Sequence, residues 1–263
     1  MTGNRLKIGL IQMRCEKLAV EANLVQIERD IAEANDRGVD IIGFPEMTIA
    51  GYADPIRQPA AIMRLDGPEV DQCVRFTANR SISVIIGLIE ENPAGKPYIT
   101  HFVAHNGQLV GQYRKRTIIE EEALSFSPGK VVPIFKHNDL TFGVAICADI
   151  HNETVFAECA QQGAQIVFEL AAPGLYGEQA TRDWQAGFGW WRSECQTHLA
   201  RYAEKYHLWI AVATQAGRTV DEDFPGGSYV FAPDGRCMYA TPDGAPSAVY
   251  VELDLDKLTC RDC

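Results

Sequence analysis

Short apolar runs separated by polar segments organise the chain. Runs of strand length lie at residues 6–13, 39–44, 82–89, 140–146, 165–170 and 208–214. Between the first two runs, residues 21–36 carry apolar side chains at every third or fourth position, which predicts an amphipathic helix that ends before Gly38. Further helices are predicted after Pro68 and over residues 153–162 and 192–206.

Turn signals complete the expected organisation. Asn106-Gly107 separates two strand-like runs, residues 98–105 and 108–114, and predicts a hairpin. Additional strands are predicted at residues 131–135, 228–231, 238–241 and 248–254, whereas residues 171–190 have no clean period and predict a long connection. This mixture indicates an α/β fold in which one mixed sheet or two sheets are covered by helices, with residues 1–263 as a single domain.

Composition and charge exclude several classes of protein. The 263 residues are 46% hydrophobic and 22% charged, which is typical of a globular chain with a sizeable core. A net charge of −11 without a basic run argues against nucleic-acid binding. We find no apolar run of membrane-spanning length and no signal segment, so we expect no membrane partner and a cytoplasmic location.

The eight cysteines are scattered along the chain, and in a reducing compartment we expect free thiols. Cys260 and Cys263 form a lone C-x-x-C pair without a second pair or a nearby histidine, so no metal site is predicted there.

Three reactive side chains follow predicted strands: Glu46, Lys115 and Cys147. Ligands of α/β sheets gather at the carboxyl ends of strands, so these side chains are candidates for one site. A cysteine sulfur could attack a carbonyl carbon while Glu46 accepts its proton and later activates water. Lys115 and the backbone N–H of Ala148 could then stabilise the resulting oxyanion.

The sequence around these residues resembles the nitrilase (carbon–nitrogen hydrolase) superfamily. The motifs that carry the resemblance are FPEMT at residues 44–48 with Gly51-Tyr52, YRK at 113–115 with FSPG at 126–129, GVAICAD at 143–149, and FPGGS at 224–228. They occur in the family order, and the resemblance extends from residue 6 to about residue 254.

This resemblance implies a four-layer α-β-β-α sandwich of two mixed β-sheets flanked by helices. It implies Glu46 as general base, Lys115 as oxyanion stabiliser and Cys147 as nucleophile, with an acyl thioester as intermediate. It implies no metal or organic cofactor, and a homodimer or higher homo-oligomer.

Members of the superfamily often carry a second glutamate after the lysine. Glu122 fits the family spacing best and Glu121 is the next candidate, while Glu120 and Glu121 could also be ordinary surface charges. The chain departs from the family pattern at Thr117, where a histidine is frequent, and at residues 150–153, where relatives have an aromatic-Pro-Glu sequence. These departures leave the substrate open.

The candidate substrate-binding residues are Tyr52, Ala148, Asp149, His151, Arg182 and Trp190. Asp149 could instead cap the helix predicted after Cys147, and this interpretation is slightly preferred. Arg182 could hold a substrate carboxylate or remain a surface residue. Trp190 belongs to an aromatic-rich segment that could line the pocket, a lid or a dimer contact.

The sequence favours an amidase or N-carbamoyl amidohydrolase acting on a small molecule. True nitrilases usually place a tryptophan and a glutamate after the cysteine, whereas this chain has Ala148-Asp149. A nitrilase, a non-catalytic scaffold member and a glutamine-fed subunit of a synthetase are the alternatives. The intact Glu46, Lys115 and Cys147 argue against the scaffold.

Overall fold

The computed structural model describes residues 4–120 and 122–263. The first half of this part of the chain contains strands β1 (Arg5–Gln12), β2 (Ile41–Gly43), β3 (Ile62–Met63), β4 (Ser83–Glu90), β5 (Tyr98–His105) and β6 (Gln108–Arg114), with helices α1 (Val20–Asp36) and α2 (Pro68–Phe76). The second half contains strands β7 (Phe135–His137), β8 (Leu140–Ile146), β9 (Ile166–Ala171), β10 (Trp209–Thr214), β11 (Ala216–Arg218), β12 (Asp223–Pro225), β13 (Tyr229–Phe231), β14 (Cys237–Ala240), β15 (Ser247–Asp254) and β16 (Thr259–Asp262), with helices α3 (Glu153–Gln161) and α4 (Trp184–Tyr206).

Two large mixed sheets form the centre of the molecule. The first has the order β16-β15-β1-β2-β4-β5-β6, with β3 beside β4, and the second has the order β14-β13-β10-β9-β8-β7. Strands β1, β2 and β4 are parallel to one another, as are β8, β9 and β10, while the outer strands are antiparallel. The shorter β11 and β12 form a separate hairpin.

The sheets pack face to face, and each carries a pair of helices on its outer face. At Gly43 a β-carbon would lie 2.8 Å from Leu170 of the second sheet, so glycine allows this close approach. Helices α1 and α2 contact each other, and α3 and α4 pack on the second sheet. Every residue of β4 is buried, as expected for a strand covered on both faces. The predicted four-layer α-β-β-α sandwich is confirmed.

Several predicted boundaries were wrong. Helix α4 begins at Trp184, eight residues before the predicted start, because the Asp183 side chain accepts the N–H of Ala186 and caps it. Glycine and aromatic residues in its first turns hid the helical period. The strand predicted at residues 131–135 lies instead at Phe135–His137. No helix in the described part of the chain is long and apolar enough to cross a membrane.

Candidate active site

Glu46 follows β2 in a segment held by backbone and side-chain contacts. His101 Nε2 lies 3.1 Å from the carbonyl oxygens of both Phe44 and Pro45. Met47 adopts a left-handed conformation with φ of 50°, which is uncommon for a residue with a side chain. The Glu46 carboxylate is fully buried and accepts the N–H of Ala172 at 3.2 Å. These contacts fix the carboxylate away from solvent.

Lys115 follows β6, and two hydrogen bonds hold its backbone. Its N–H donates to the carbonyl oxygen of Ile99 at 2.8 Å, and its own carbonyl oxygen accepts the N–H of Gly129 at 2.7 Å. A β-carbon at Gly129 would lie 2.1 Å from the carbonyl oxygen of Arg114, so only glycine fits this position. The buried ammonium donates to Glu46 Oε1 at 2.8 Å and to Glu122 Oε1 at 2.6 Å.

Cys147 begins a 3-10 turn, Cys147–His151, directly after β8. Its φ of 47° is left-handed, a strained conformation that often marks a functional residue. The buried Asp149 carboxylate holds the turn, because it accepts the Tyr113 hydroxyl at 2.7 Å, the N–H of Thr117 at 2.8 Å and the N–H of Ile146 at 3.0 Å.

Asp149 has a structural role in the turn after Cys147, since its carboxylate accepts the N–H of Ile146, the residue before the 3-10 turn, but it does not cap α3. The side chain of Asn152 accepts the N–H of Thr154 and caps α3. The five-residue turn separates Cys147 from α3, so no α-helix begins immediately after the cysteine. Ala148 belongs to the first turn, where N–H groups have no acceptor within the helix, and its N–H remains a candidate oxyanion donor.

Glu122 is the glutamate that reaches Lys115. It is buried at the start of a 3-10 turn, Glu122–Leu124, and accepts the Tyr52 hydroxyl at 2.8 Å. Glu120 is exposed, whereas Glu121 lies outside the described residues. Tyr52 and Lys115 therefore hold the Glu122 carboxylate beside the Glu46 carboxylate.

The buried charges act on one another. Burial raises the pKa of Glu46 to about 7, although the Lys115 ammonium opposes this shift. Burial and the Glu46 charge raise the pKa of the Cys147 thiol well above its usual value, which favours a neutral thiol. Burial alone would lower the pKa of Lys115, but the surrounding negative groups, led by Glu46, outweigh it and raise that pKa. The arrangement places a proton acceptor, a cation and a thiol together.

A cavity of about 150 Å³ opens onto this cluster. Four of the predicted binding residues line it, namely Tyr52, Ala148, His151 and Trp190, as do Lys115, Glu122 and Cys147. Trp191 also lines it, as the aromatic-rich segment allowed, and so does Ile150 from the segment that departs from the family pattern. The remaining lining residues were not predicted from the sequence: Ile119, Ala172, Pro173, Gly174 and Tyr176. Residues 172–174 directly follow β9, so their place at the carboxyl end of a strand was an available signal.

Two predicted binding residues do not line this cavity. Asp149 lies behind the turn. Arg182 lines a neighbouring pocket, and its guanidinium lies 3.2 Å from the buried carboxylate of Asp223. The Asp223 carboxylate also accepts a hydrogen bond from Nε of Arg218 at 2.9 Å. The charge of Arg182 is thus already paired within the protein.

These features define a four-layer α-β-β-α protein in which a half-buried cysteine lies with a buried lysine and a buried glutamate at the ends of strands. The chain belongs to the carbon–nitrogen hydrolase family, whose sequence model matches residues 7–260. This places it in the nitrilase superfamily, as the sequence motifs predicted.

Relatives within the superfamily differ in length. The chain is 25% identical over 261 residues to a glutamine-dependent NAD(+) synthetase of Thermotoga maritima, covering 96% of this chain but 43% of the synthetase. It is 25% identical over 255 residues to an (R)-stereoselective amidase of a Pseudomonas species, covering 96% of this chain and 86% of that amidase. The chain thus spans less than half of the synthetase and most of the amidase.

The fold is also that of a solved amidase from a Nesterenkonia species. The two structures superpose with a TM-score of 0.80 at 23% identity, and the match covers 98% of this chain and 94% of the amidase. The similarity supports the sandwich architecture.

Proposed function

We propose that the protein hydrolyses the carbon–nitrogen bond of a small neutral amide through a thioester on Cys147. The observation that carries this proposal is the convergence of Cys147, the Lys115 ammonium and the Glu46 carboxylate beside one cavity of about 150 Å³. A thiol with a nearby base and an oxyanion stabiliser is the set required for covalent acyl transfer.

In the first half-reaction, the Cys147 sulfur attacks the amide carbon while the Glu46 carboxylate accepts the thiol proton. The carbonyl oxygen becomes an oxyanion that the Lys115 ammonium and the N–H of Ala148 stabilise. As this tetrahedral intermediate collapses, Glu46 returns the proton to the leaving nitrogen, and ammonia or an amine departs. The acyl group remains on sulfur as a thioester.

In the second half-reaction, Glu46 accepts a proton from water as the water oxygen attacks the thioester carbon. Collapse expels the sulfur, which is reprotonated, and a carboxylic acid is released. The raised pKa of Glu46, about 7, suits a group that must both accept and return a proton near neutral pH. Glu122 supports this cycle by holding the Lys115 ammonium.

The lining of the cavity favours a neutral acyl group. Its walls include the side chains of Ile119, Ile150, Pro173, Trp190 and Trp191. Lys115 is the one lysine or arginine among the described residues that line it, and two carboxylates already pair with its ammonium. A substrate carboxylate would find no free cation in this cavity. We therefore expect simple amides to be better substrates than N-carbamoyl amino acids.

A second candidate is hydrolysis of the side-chain amide of glutamine. A groove of about 650 Å³ adjoins the cavity and shares Tyr52, Glu122 and Tyr176 with it. Side chains of both charges line this groove, among them Lys17 and Glu222, and they could meet the two charges of an amino acid if their own ion pair at 3.1 Å rearranged. The similarity to a glutamine-dependent synthetase agrees with this alternative.

The test is release of ammonia and carbon dioxide from matched panels of aliphatic amides, glutamine, N-carbamoyl amino acids, N-carbamoyl amines and nitriles. We expect the highest kcat/KM with a small neutral amide, no turnover by Cys147→Ala, and normal turnover by the matched control Cys237→Ser, which alters an exposed cysteine. Activity confined to glutamine would select the second candidate, and activity confined to nitriles a nitrilase. Turnover by folded Cys147→Ala would reject the thioester mechanism.

A further inference from the structure

Two histidines and a glutamate meet beside the active-site cavity. His151 ends the turn that begins at Cys147, and Glu194 and His198 lie one helical turn apart on α4. The Glu194 Oε2 atom lies 3.8 Å from His151 Nε2 and 3.7 Å from His198 Nε2. The three ligand atoms all lie within 4.8 Å of one another.

These separations suit a shared ion better than direct hydrogen bonds. Each carboxylate-to-imidazole distance exceeds the usual hydrogen-bond length of about 2.7–3.2 Å. Two ligands that each lie about 2.0–2.1 Å from a tetrahedral zinc ion are about 3.4 Å apart. Small side-chain rotations would therefore bring His151, Glu194 and His198 to coordination distance.

The surroundings leave these three side chains available. The nearby Arg201 guanidinium pairs with Glu153 at 3.3 Å. Nδ1 of His198 is buried and has no hydrogen-bond partner among the described residues, so no contact at that atom fixes the ring. The His151 side chain is 52% exposed, which gives an ion access.

We propose that His151, Glu194 and His198 bind a divalent transition-metal ion of the zinc type, with water completing its coordination. Two imidazoles and one carboxylate are ligands that zinc accepts, whereas magnesium and calcium prefer oxygen ligands. The ligands come from distant parts of the sequence, which is why no metal motif was visible there.

The bound ion would also link two segments that line the active-site cavity. His151 lines the cavity, and so does Trp190, which lies one helical turn before Glu194. An ion held by His151 and Glu194 ties the turn that carries Cys147 to α4. We infer that occupancy restricts the cavity and inhibits turnover; this second part rests on the proposed function, whereas the binding does not.

Binding is tested with zinc alone on the full chain, by isothermal titration and by competition with a chromophoric chelator. We expect one ion per chain, and a Kd raised more than about 10-fold in His198→Ala and in Glu194→Gln, since even a residue behind a ligand typically contributes 10–100-fold. Glu194→Gln preserves side-chain size, and circular dichroism checks the fold of both variants. His207→Asn, a substitution of the exposed histidine at the end of α4, is the matched control and should bind normally.

Zinc could instead bind to cysteine thiolates, and two measurements distinguish this case. Cys147→Ala should bind zinc as the wild type does. Cobalt bound in place of zinc should show ligand-field bands without thiolate charge-transfer absorption. Equal zinc affinity in wild type, His198→Ala and Glu194→Gln, or a thiolate spectrum, would overturn the site. Once a substrate has been identified, zinc should inhibit turnover by the wild type and by His207→Asn but not by His198→Ala. Zinc binding without inhibition would reject the inferred restriction of the cavity. The binding result itself does not depend on finding a substrate.

Discussion

The Lys115 ammonium lies 2.8 Å from Oε1 of Glu46, and neither side chain is exposed to solvent. The Glu122 carboxylate contacts the same ammonium from a second direction at 2.6 Å. A buried cation between two carboxylates is costly to remove, because its loss leaves like charges facing each other without compensation. The stability of the fold and the proposed chemistry therefore involve the same ammonium.

Lys115→Met, which retains much of the side-chain volume, should lower both stability and activity. Breaking a buried ion pair by removing one partner typically costs about 3–5 kcal/mol. Loss of an oxyanion donor typically lowers kcat by about 10²–10³-fold. Urea unfolding and kcat/KM on the substrate found by the panel measure the two effects. The exposed Lys130→Met is the matched control, and a near-normal rate in Lys115→Met would remove its oxyanion role.

The rate should rise with pH through about 7. The pKa of Glu46 is raised to about 7, and the group acts as a base only when ionised, so kcat/KM falls as pH drops below that value. A pH profile of kcat/KM measures this fall on the acid side. Glu46→Gln should be inactive at every pH, whereas Glu120→Gln, which changes an exposed neighbouring glutamate, should retain the profile. A flat wild-type profile on the acid side of neutrality would contradict the assignment of Glu46.

The positions of Glu46, Lys115 and Cys147 after predicted strands were sufficient to predict a shared site, because the carboxyl ends of strands converge in α/β sheets. The residue pattern alone left one mixed sheet or two sheets open, and the four-layer sandwich followed from the resemblance to the superfamily. The choice of Glu122 also followed from the family spacing.

Other features depend on tertiary contacts that no local pattern reveals. The partner of Arg182 is Asp223 on a separate hairpin, and this pairing keeps the arginine out of the cavity. Asp149 holds the 3-10 turn after Cys147 partly through the Tyr113 hydroxyl, which reaches it from the other sheet. The oligomeric state, the extent of the domain and the location in the cell remain predictions.

Asp149→Asn should lower kcat more than it changes KM. The carboxylate accepts three donors and does not line the cavity, so the substitution disturbs the turn that carries Cys147 while leaving the cavity walls in place. An amide nitrogen cannot accept a hydrogen bond, and each buried donor left unsatisfied costs about 1–3 kcal/mol. Steady-state kinetics and urea unfolding measure both effects, with the exposed Asp139→Asn as control. A change confined to KM would instead indicate direct substrate contact.

Gly87 of β4 sets the position of the Glu46 segment from the neighbouring strand. A β-carbon there would lie 2.5 Å from the backbone nitrogen of Met47 and 2.7 Å from the carbonyl oxygen of Pro45. Both neighbours are backbone atoms and cannot rotate away as a side chain can. Gly87→Ala must therefore displace the segment that carries Glu46.

We expect Gly87→Ala to fold, with a loss of about 1–3 kcal/mol typical of overpacking. Its kcat should fall at least 10-fold, because a displacement of about 1 Å can cost 10²-fold in rate. Urea unfolding and steady-state kinetics separate these effects. Gly95→Ala is the matched control, since the nearest atom to its β-carbon would lie 3.5 Å away. Wild-type kinetics in Gly87→Ala would show that the rate tolerates movement of Glu46, which is incompatible with its proposed role as the base that accepts the thiol proton.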